Sequence, residues 1–143
     1  PASAAGTPQP YTILTEKLGL TLDRIAYQKN DVFQYEFLTD VWFGAADGTT
    51  ETRWFIHEAA GEEAARQLFD QLVKEQTYDY EVLDRGANRA LMRHQYLNTV
   101  FGARRRGALL FGVDGAKDAD SARALLDRLD EVTRVEETTY PES

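Results

Sequence analysis

Two histidines and one run of three arginines are the residues of this chain best suited to chemistry. His57 follows the apolar run Trp54–Ile56 and precedes a glutamate. His94 lies in the run Met92–Tyr96, in which every second residue is polar. A neutral imidazole can act as a general base or bind a metal. The two fit no metal spacing such as H-x-x-x-H, so we expect structural roles unless the fold brings them together.

The arginine run Arg104–Arg106 is the only basic cluster in an otherwise acidic chain. Gly107 follows it directly, and the four residues together predict a hairpin turn, because glycine adopts the positive φ that such turns need. Guanidinium groups bind carboxylates and phosphates through paired hydrogen bonds. The run is therefore a candidate contact for an acidic partner, or simply a solvated turn.

The acidic loop Asp114–Asp120 suggests cation binding at first sight. It lacks the alternating oxygen ligands and the terminal glutamate of a calcium-binding EF-hand loop. Asp118 or Asp120 is better explained as the cap of a following helix, whose first backbone N–H groups need acceptors. We therefore predict no metal site, and no other pattern in the chain indicates a cofactor.

Composition limits the partners that this chain can bind. It has 143 residues, which suits one hydrophobic core, and its 16 basic and 24 acidic side chains give a net charge of -8. That charge is repelled by phosphate backbones, so nucleic acid is a poor partner. The chain has no cysteine, which excludes disulfides and thiolate chemistry, and no apolar run approaches the ~20 residues that span a bilayer. We expect a soluble domain that does not insert into membranes.

The sequence also contains an internal repeat. Asp40–Ala45 returns as Asn98–Ala103, each with the motif Phe-Gly-Ala, and Ala65–Leu72 returns as Ala122–Leu129. Both pairs lie 57 or 58 residues apart, in the same order. The pattern predicts two strand–helix repeat units, at about 31–75 and 90–132.

Each repeat ends in an amphipathic helix with one apolar stripe. The stripes consist of Ala65, Leu68, Phe69, Leu72 and Val73 in the first helix, and of Ala122, Leu125, Leu126, Leu129 and Val132 in the second. Alternating apolar residues predict strands around Phe33–Phe37, Trp54–Ile56 and Met92–Tyr96. From residue 51 the order reads β-α-β-β-α-β, with short strands at Val82–Leu83 and Thr133–Val135. The prediction is an α+β, ferredoxin-like antiparallel sheet with both helices on one face and extra N-terminal strands.

The first ten residues lack charge, aromatic side chains and periodicity, so 1–10 is predicted to be a flexible tether and 11–143 one domain. Alanine- and serine-rich segments often follow a cleaved signal peptide, which favours a periplasmic or extracellular location. A cytoplasmic chain is the alternative.

Three stretches resemble an uncharacterised family of exported bacterial proteins. They are Asn30–Tyr35, the strand ending in Phe43-Gly44, and Gly107–Val113 followed by a helix. The resemblance covers about two thirds of the chain in order of elements. It implies the periplasm or cell surface and no particular activity.

The leading hypothesis is a non-catalytic binding or assembly module for a protein partner or a second copy. Its contacts would be the uncovered sheet face, with Trp42 and Trp54, and Arg104–Arg106. The alternative is a dimeric ferredoxin-like small-molecule binder or enzyme with a pocket at His57 or His94. A third reading, paired β-α-β-β-β units as in metal-dependent glyoxalase-like proteins, requires about four converging ligands, of which only His57, Glu58 and His94 are evident.

Overall fold

Seven antiparallel strands form one sheet in the computed structural model, which describes residues 8–46 and 51–138. The strands are β1 Ile25–Gln28, β2 Val41–Ala45, β3 Arg53–Glu58, β4 Tyr80–Arg85, β5 Arg89–His94, β6 Val100–Arg106 and β7 Leu109–Ala116. Their order across the sheet is β1-β2-β3-β7-β6-β5-β4. The α+β class and the antiparallel sheet are therefore confirmed.

Three helices and two 3₁₀ turns complete the described fold. The helices are α1 Gln9–Thr12, which continues as a π-helical turn Ile13–Lys17, α2 Glu62–Gln76 and α3 Ala119–Thr138. The 3₁₀ turns are Leu22–Arg24 and Val32–Gln34. From β3 onward the order is β-α-β-β-β-β-α. The predicted ferredoxin-like order is not confirmed. Four strands lie between α2 and α3 where two were predicted, and residues 133–135 continue α3 instead of forming a strand.

The two long helices cover opposite faces of the sheet. Leu126 and Leu129 of α3 pack with Trp54 and Ile56 of β3, together with Ile13 and Leu14 from the N-terminal segment. On the other face, the α2 residues Phe69, Leu72 and Val73 pack with Phe55, Phe101 and Leu110. The prediction that both helices lie on one face of the sheet is therefore wrong. Neither face of the sheet is left without a helix, so the predicted open face is also absent among the described residues.

The central strands show why both faces need a cover. Trp54, Phe55 and Ile56 are consecutive and all buried, and Leu109–Val113 is buried throughout. An unbroken apolar run of this kind is typical of a strand that is covered on both sides. The sequence contains this unbroken apolar run, whereas alternation alone predicts a strand with one buried face.

The segment around Phe33 is a loop rather than the predicted strand. Phe33 has a φ of 55° within the 3₁₀ turn, and its ring lies 5.3 Å from that of Phe55 and 5.7 Å from that of Phe101. Val32 and Leu38 are fully buried beside it. The alternating aromatic residues therefore pack against the core on the α2 face of the sheet and do not form a strand.

The two sequence repeats share an element order but not a packing. Each has a pair of neighbouring strands followed by a helix, β2-β3-α2 and β6-β7-α3. Because α2 and α3 lie on opposite faces, the units are not equivalent in space. The glycine of the shared Phe-Gly-Ala motif has a steric reason in both units. A Cβ on Gly44 would lie 2.5 Å from Leu20, and a Cβ on Gly102 would lie 2.4 Å from Leu126. The predicted turn at Asp47-Gly48 lies outside the described residues.

Trp54 connects the sheet to α3 through a buried hydrogen bond. Its indole N–H donates to the carbonyl of Leu125 at 3.1 Å, and only 6% of the residue is exposed. Trp54→Phe is expected to lower the free energy of unfolding by about 2 kcal/mol, because it removes this bond and leaves unfilled volume. Urea denaturation measures the loss. Trp42→Phe, at a half-buried position, is the control and should cost less than about 1 kcal/mol; equal losses would contradict this role of Trp54.

Candidate anion-binding cleft

The three consecutive arginines form the end of strand β6. The turn that follows is Gly107-Ala108, because Arg106 pairs with Leu109 across the hairpin. The predicted hairpin and the positive φ of Gly107 are therefore confirmed, but the three arginines belong to the strand before the turn and not to the turn itself. As residues of a strand, they alternate between the two faces of the sheet.

Arg104 and Arg106 lie on the α3 face and bind its carboxylates. Arg104 donates to Asp127 at 2.9 Å, and Arg106 donates to Asp130 at 2.5 Å. Arg134, one helical turn beyond Asp130, donates to its other carboxylate oxygen. Three guanidinium groups therefore surround Asp130, since Arg104 is also within 3.8 Å of it.

Asp130 is the buried centre of this network, with 7% of the residue exposed. Burial by itself would raise its pKa, but the hydrogen bonds from Arg134 and Arg106 and their positive charges outweigh that effect. The net result is a pKa below the usual range for an aspartate. The carboxylate is thus charged at neutral pH and holds three arginines in fixed positions.

Arg105 points to the opposite face and is held at three places. Its Nε and one Nη donate to the Asn88 side chain at 3.2 and 2.8 Å, and its other Nη donates to the Gly107 carbonyl at 3.0 Å. Glu62 at the start of α2 lies 3.6 Å away. Only 9% of the Arg105 side chain is exposed. Its guanidinium plane is therefore fixed before any ligand arrives.

These arginines line an open cleft of about 500 Å³, the feature that we call the arginine cleft. Its walls are Ala87, Asn88, Arg89, Arg104, Arg105, Arg106, Asp130 and Arg134. Five arginines thus line the cleft, and three of them lie against the Asp130 carboxylate. The other two pair with Asp84 and Glu62, which lie outside its walls. A cluster of guanidinium groups of this kind, in a chain of net charge -8, is a local site that can attract anions.

Sequence reasoning missed Arg89 and Arg134. Arg89 reaches the cleft because β5 pairs with β6 and places it opposite Arg104. Arg134 reaches it because α3 crosses the same end of the sheet. Neither is close to the arginine run in sequence, and α3 was expected to end before Arg134. Only the strand register and the helix length reveal the full cluster.

The two tryptophans proposed as contacts lie outside this cleft. Trp54 is in the core below α3. Trp42 is half-buried in β2, with its ring 4.7 Å from that of Tyr27 and 5.5 Å from that of Tyr11. The structure therefore does not bring either tryptophan together with Arg104–Arg106.

The two histidines are not brought together. His57 pairs with Leu110, which lies opposite Arg105, whereas His94 pairs with Tyr80 near the opposite end of the sheet. Two strands, β7 and β6, separate them. The His57 Nδ1 lies 3.2 Å from the Asp40 carbonyl oxygen, and the His94 Nδ1 accepts from the backbone N–H groups of residues 96 and 97.

The acidic loop caps a helix. Asp118 accepts a hydrogen bond from the Ser121 backbone N–H at 2.8 Å, and this bond lowers the pKa of Asp118. The predicted cap is therefore confirmed for Asp118. Among the described residues, no group of three or more histidine, aspartate or glutamate side chains is placed to hold a metal ion.

In residues 8–46 and 51–138, no helix is long and apolar enough to cross a membrane. Comparison of the chain with protein-family models, curated proteins and solved structures finds no match.

Proposed function

We propose that this domain is a non-catalytic binding or assembly module that contacts a carboxylate-rich segment of a protein partner through the arginine cleft. One observation carries the proposal: five guanidinium groups from β5, β6 and α3 converge on one open cleft in an acidic chain. Guanidinium groups match the planar geometry of carboxylates and form paired hydrogen bonds with them.

The arginines divide into a supporting set and a binding set. Arg104 and Arg106 connect β6 to α3 through Asp127 and Asp130, and their side chains are only 23% and 25% exposed. Arg89 and Arg134 are 57% and 60% exposed. The first pair holds the helix in place, and the second pair presents charge at the rim of the cleft.

A protein segment suits the cleft better than a single small anion. The cleft is open, and its guanidinium groups come from three separate elements. A partner with several carboxylates can use more than one of them at the same time. Preorganised side chains such as Arg105 also reduce the entropy that binding costs.

Arg89→Gln is expected to weaken binding of a fluorescent octaglutamate peptide about tenfold, equivalent to about 1.4 kcal/mol. The matched control is Arg93→Gln, because Arg93 lies on the same strand and binds Glu81 at 3.4 Å much as Arg89 binds Asp84 at 2.9 Å. Fluorescence anisotropy measures both affinities. Arg93 does not line the cleft, so its variant should bind like the wild type.

A second matched pair tests the helix side of the cleft. Arg134→Gln removes a charge that lines it, whereas Arg128→Gln removes an exposed charge from the same helix outside it. The first variant should bind the peptide more weakly than the second. Equal affinities in both matched pairs would show that net charge alone determines binding, and would overturn the proposal.

A further inference from the structure

A second, smaller pocket lies on the α2 face at the end of the sheet away from the arginine cleft. Its volume is about 200 Å³, and its walls are Asp23, Arg24, Ile25, Ala26, Phe43, Ala45 and Arg53. The strand register separates it from the cleft, since Arg53 pairs with Asp114 at one end of β7 and Arg106 pairs with Leu109 at the other.

The floor of this pocket is apolar and one of its cations is already neutralised. The guanidinium of Arg53 lies 3.9 Å from the centre of the Phe43 ring and binds Asp114 at 3.3 Å. Ala26 and Ala45 add small side chains, which leave the space open. Arg53 therefore contributes a flat surface and little free charge.

Arg24 differs from Arg53 in what surrounds its charge. Its Nε is buried and has no hydrogen-bond partner among the described residues. The neighbouring carboxylate of Asp23 accepts from the Thr21 hydroxyl at 2.5 Å. A buried donor without an acceptor costs free energy and is uncommon in native proteins. The Thr21 hydrogen bond and, to a smaller extent, the charge of Arg24 lower the pKa of Asp23, so Arg24 has one carboxylate nearby. The Arg24 Nε is therefore the polar group of the pocket that still lacks an acceptor.

We propose that this pocket binds a small molecule that combines an apolar body with one carboxylate group. The carboxylate binds the Arg24 guanidinium, and the apolar body packs between Phe43, Ala26 and Ala45. The volume is below the ~300–1,000 Å³ of pockets for drug-sized ligands. The ligand class is therefore short-chain or single-ring carboxylic acids.

Hexanoate is the probe, and ¹H–¹⁵N NMR titration of the intact chain is the measurement. The amide signals of residues 24–26 and 43–45 are expected to shift, with a Kd of about 1 mM or tighter. Acetate lacks the apolar body and 1-hexanol lacks the charge, so each should bind at least about tenfold more weakly. Absence of shifts with hexanoate, or shifts confined to the arginine cleft, would overturn the proposal.

Two variants test the two halves of the pocket separately. Arg24→Gln removes the charge and should weaken hexanoate binding at least about tenfold. Ala26→Leu keeps every charge but fills the space on an exposed strand, and should weaken binding to a similar extent. Arg134→Gln, in the arginine cleft, should leave hexanoate binding unchanged. If hexanoate binds Arg24→Gln and Ala26→Leu as it binds the wild type, the assignment is wrong, whatever the peptide experiment shows.

Discussion

Asp130→Asn is expected to lower the free energy of unfolding at pH 7 by about 3 kcal/mol. The substitution keeps the size of the side chain but removes the buried negative charge between Arg106 and Arg134. Those guanidinium groups would then lose the buried carboxylate that lies between them. Urea denaturation followed by circular dichroism measures the loss.

Asp127→Asn is the matched control for this prediction. Asp127 lies one turn earlier on α3 and binds Arg104 at 2.9 Å, but its side chain is 70% exposed. An exposed ion pair contributes at most about 1 kcal/mol. A loss as large for Asp127→Asn as for Asp130→Asn would show that burial of the carboxylate is not the cause.

The same carboxylate predicts how stability depends on pH. The pKa of Asp130 is lower in the folded protein than its ordinary value. Its contribution is therefore complete above the unfolded-state pKa, at about pH 4, and is lost as the pH falls through the folded-state pKa. The difference in stability between the wild type and Asp130→Asn should narrow as the pH is lowered from 7 towards 2. A constant difference would contradict the charge as its source.

Gly112→Ala is expected to destabilise the domain by about 3 kcal/mol or more. Gly112 lies in the central strand β7, and a Cβ there would stand 2.0 Å from the Gly102 carbonyl oxygen and 2.6 Å from the Phe55 ring. The Gly102 carbonyl belongs to the backbone of β6 and cannot move away from the added methyl group as a flexible side chain could. The ladder between β6 and β7 would have to shift, and thermal unfolding measures the effect.

Gly61→Ala is the control for a generic glycine effect. Gly61 precedes α2, and nothing lies within 4 Å of the Cβ position that alanine would add. Its backbone is extended, with φ of -173° and ψ of -178°, which an alanine also adopts. The free energy of unfolding should change by less than about 1 kcal/mol. Comparable losses at both positions would refute the steric argument for Gly112.

The stability predictions bear on the binding proposal. Arg104 and Arg106 position α3 as well as line the cleft, so substitutions there would mix folding with binding. Arg89 and Arg134 lie at the exposed rim and separate the two effects. For this reason, the arginine run that is most visible in the sequence is not the best place to test the function.

Local features of this protein can be predicted from its amino-acid sequence. The apolar spacing of Phe69, Leu72 and Val73 predicts α2, and the corresponding stripe from Ala122 to Leu129 predicts α3. Asp118 was identified as a helix cap, and Val82–Leu83 as part of a strand. These features depend on residues close together in the chain, so their physical causes can be found in the sequence.

Which face each helix covers, and which arginines lie together, depends on long-range packing. An amphipathic stripe shows that a helix packs on something, but both faces of β3 and β7 are apolar and accept a helix equally well. Arg89 and Arg134 join the arginine cleft through strand register and the path of α3. Phe33 likewise reaches the core from a turn with positive φ. Contacts between residues distant in sequence determine these features, and no local pattern encodes them.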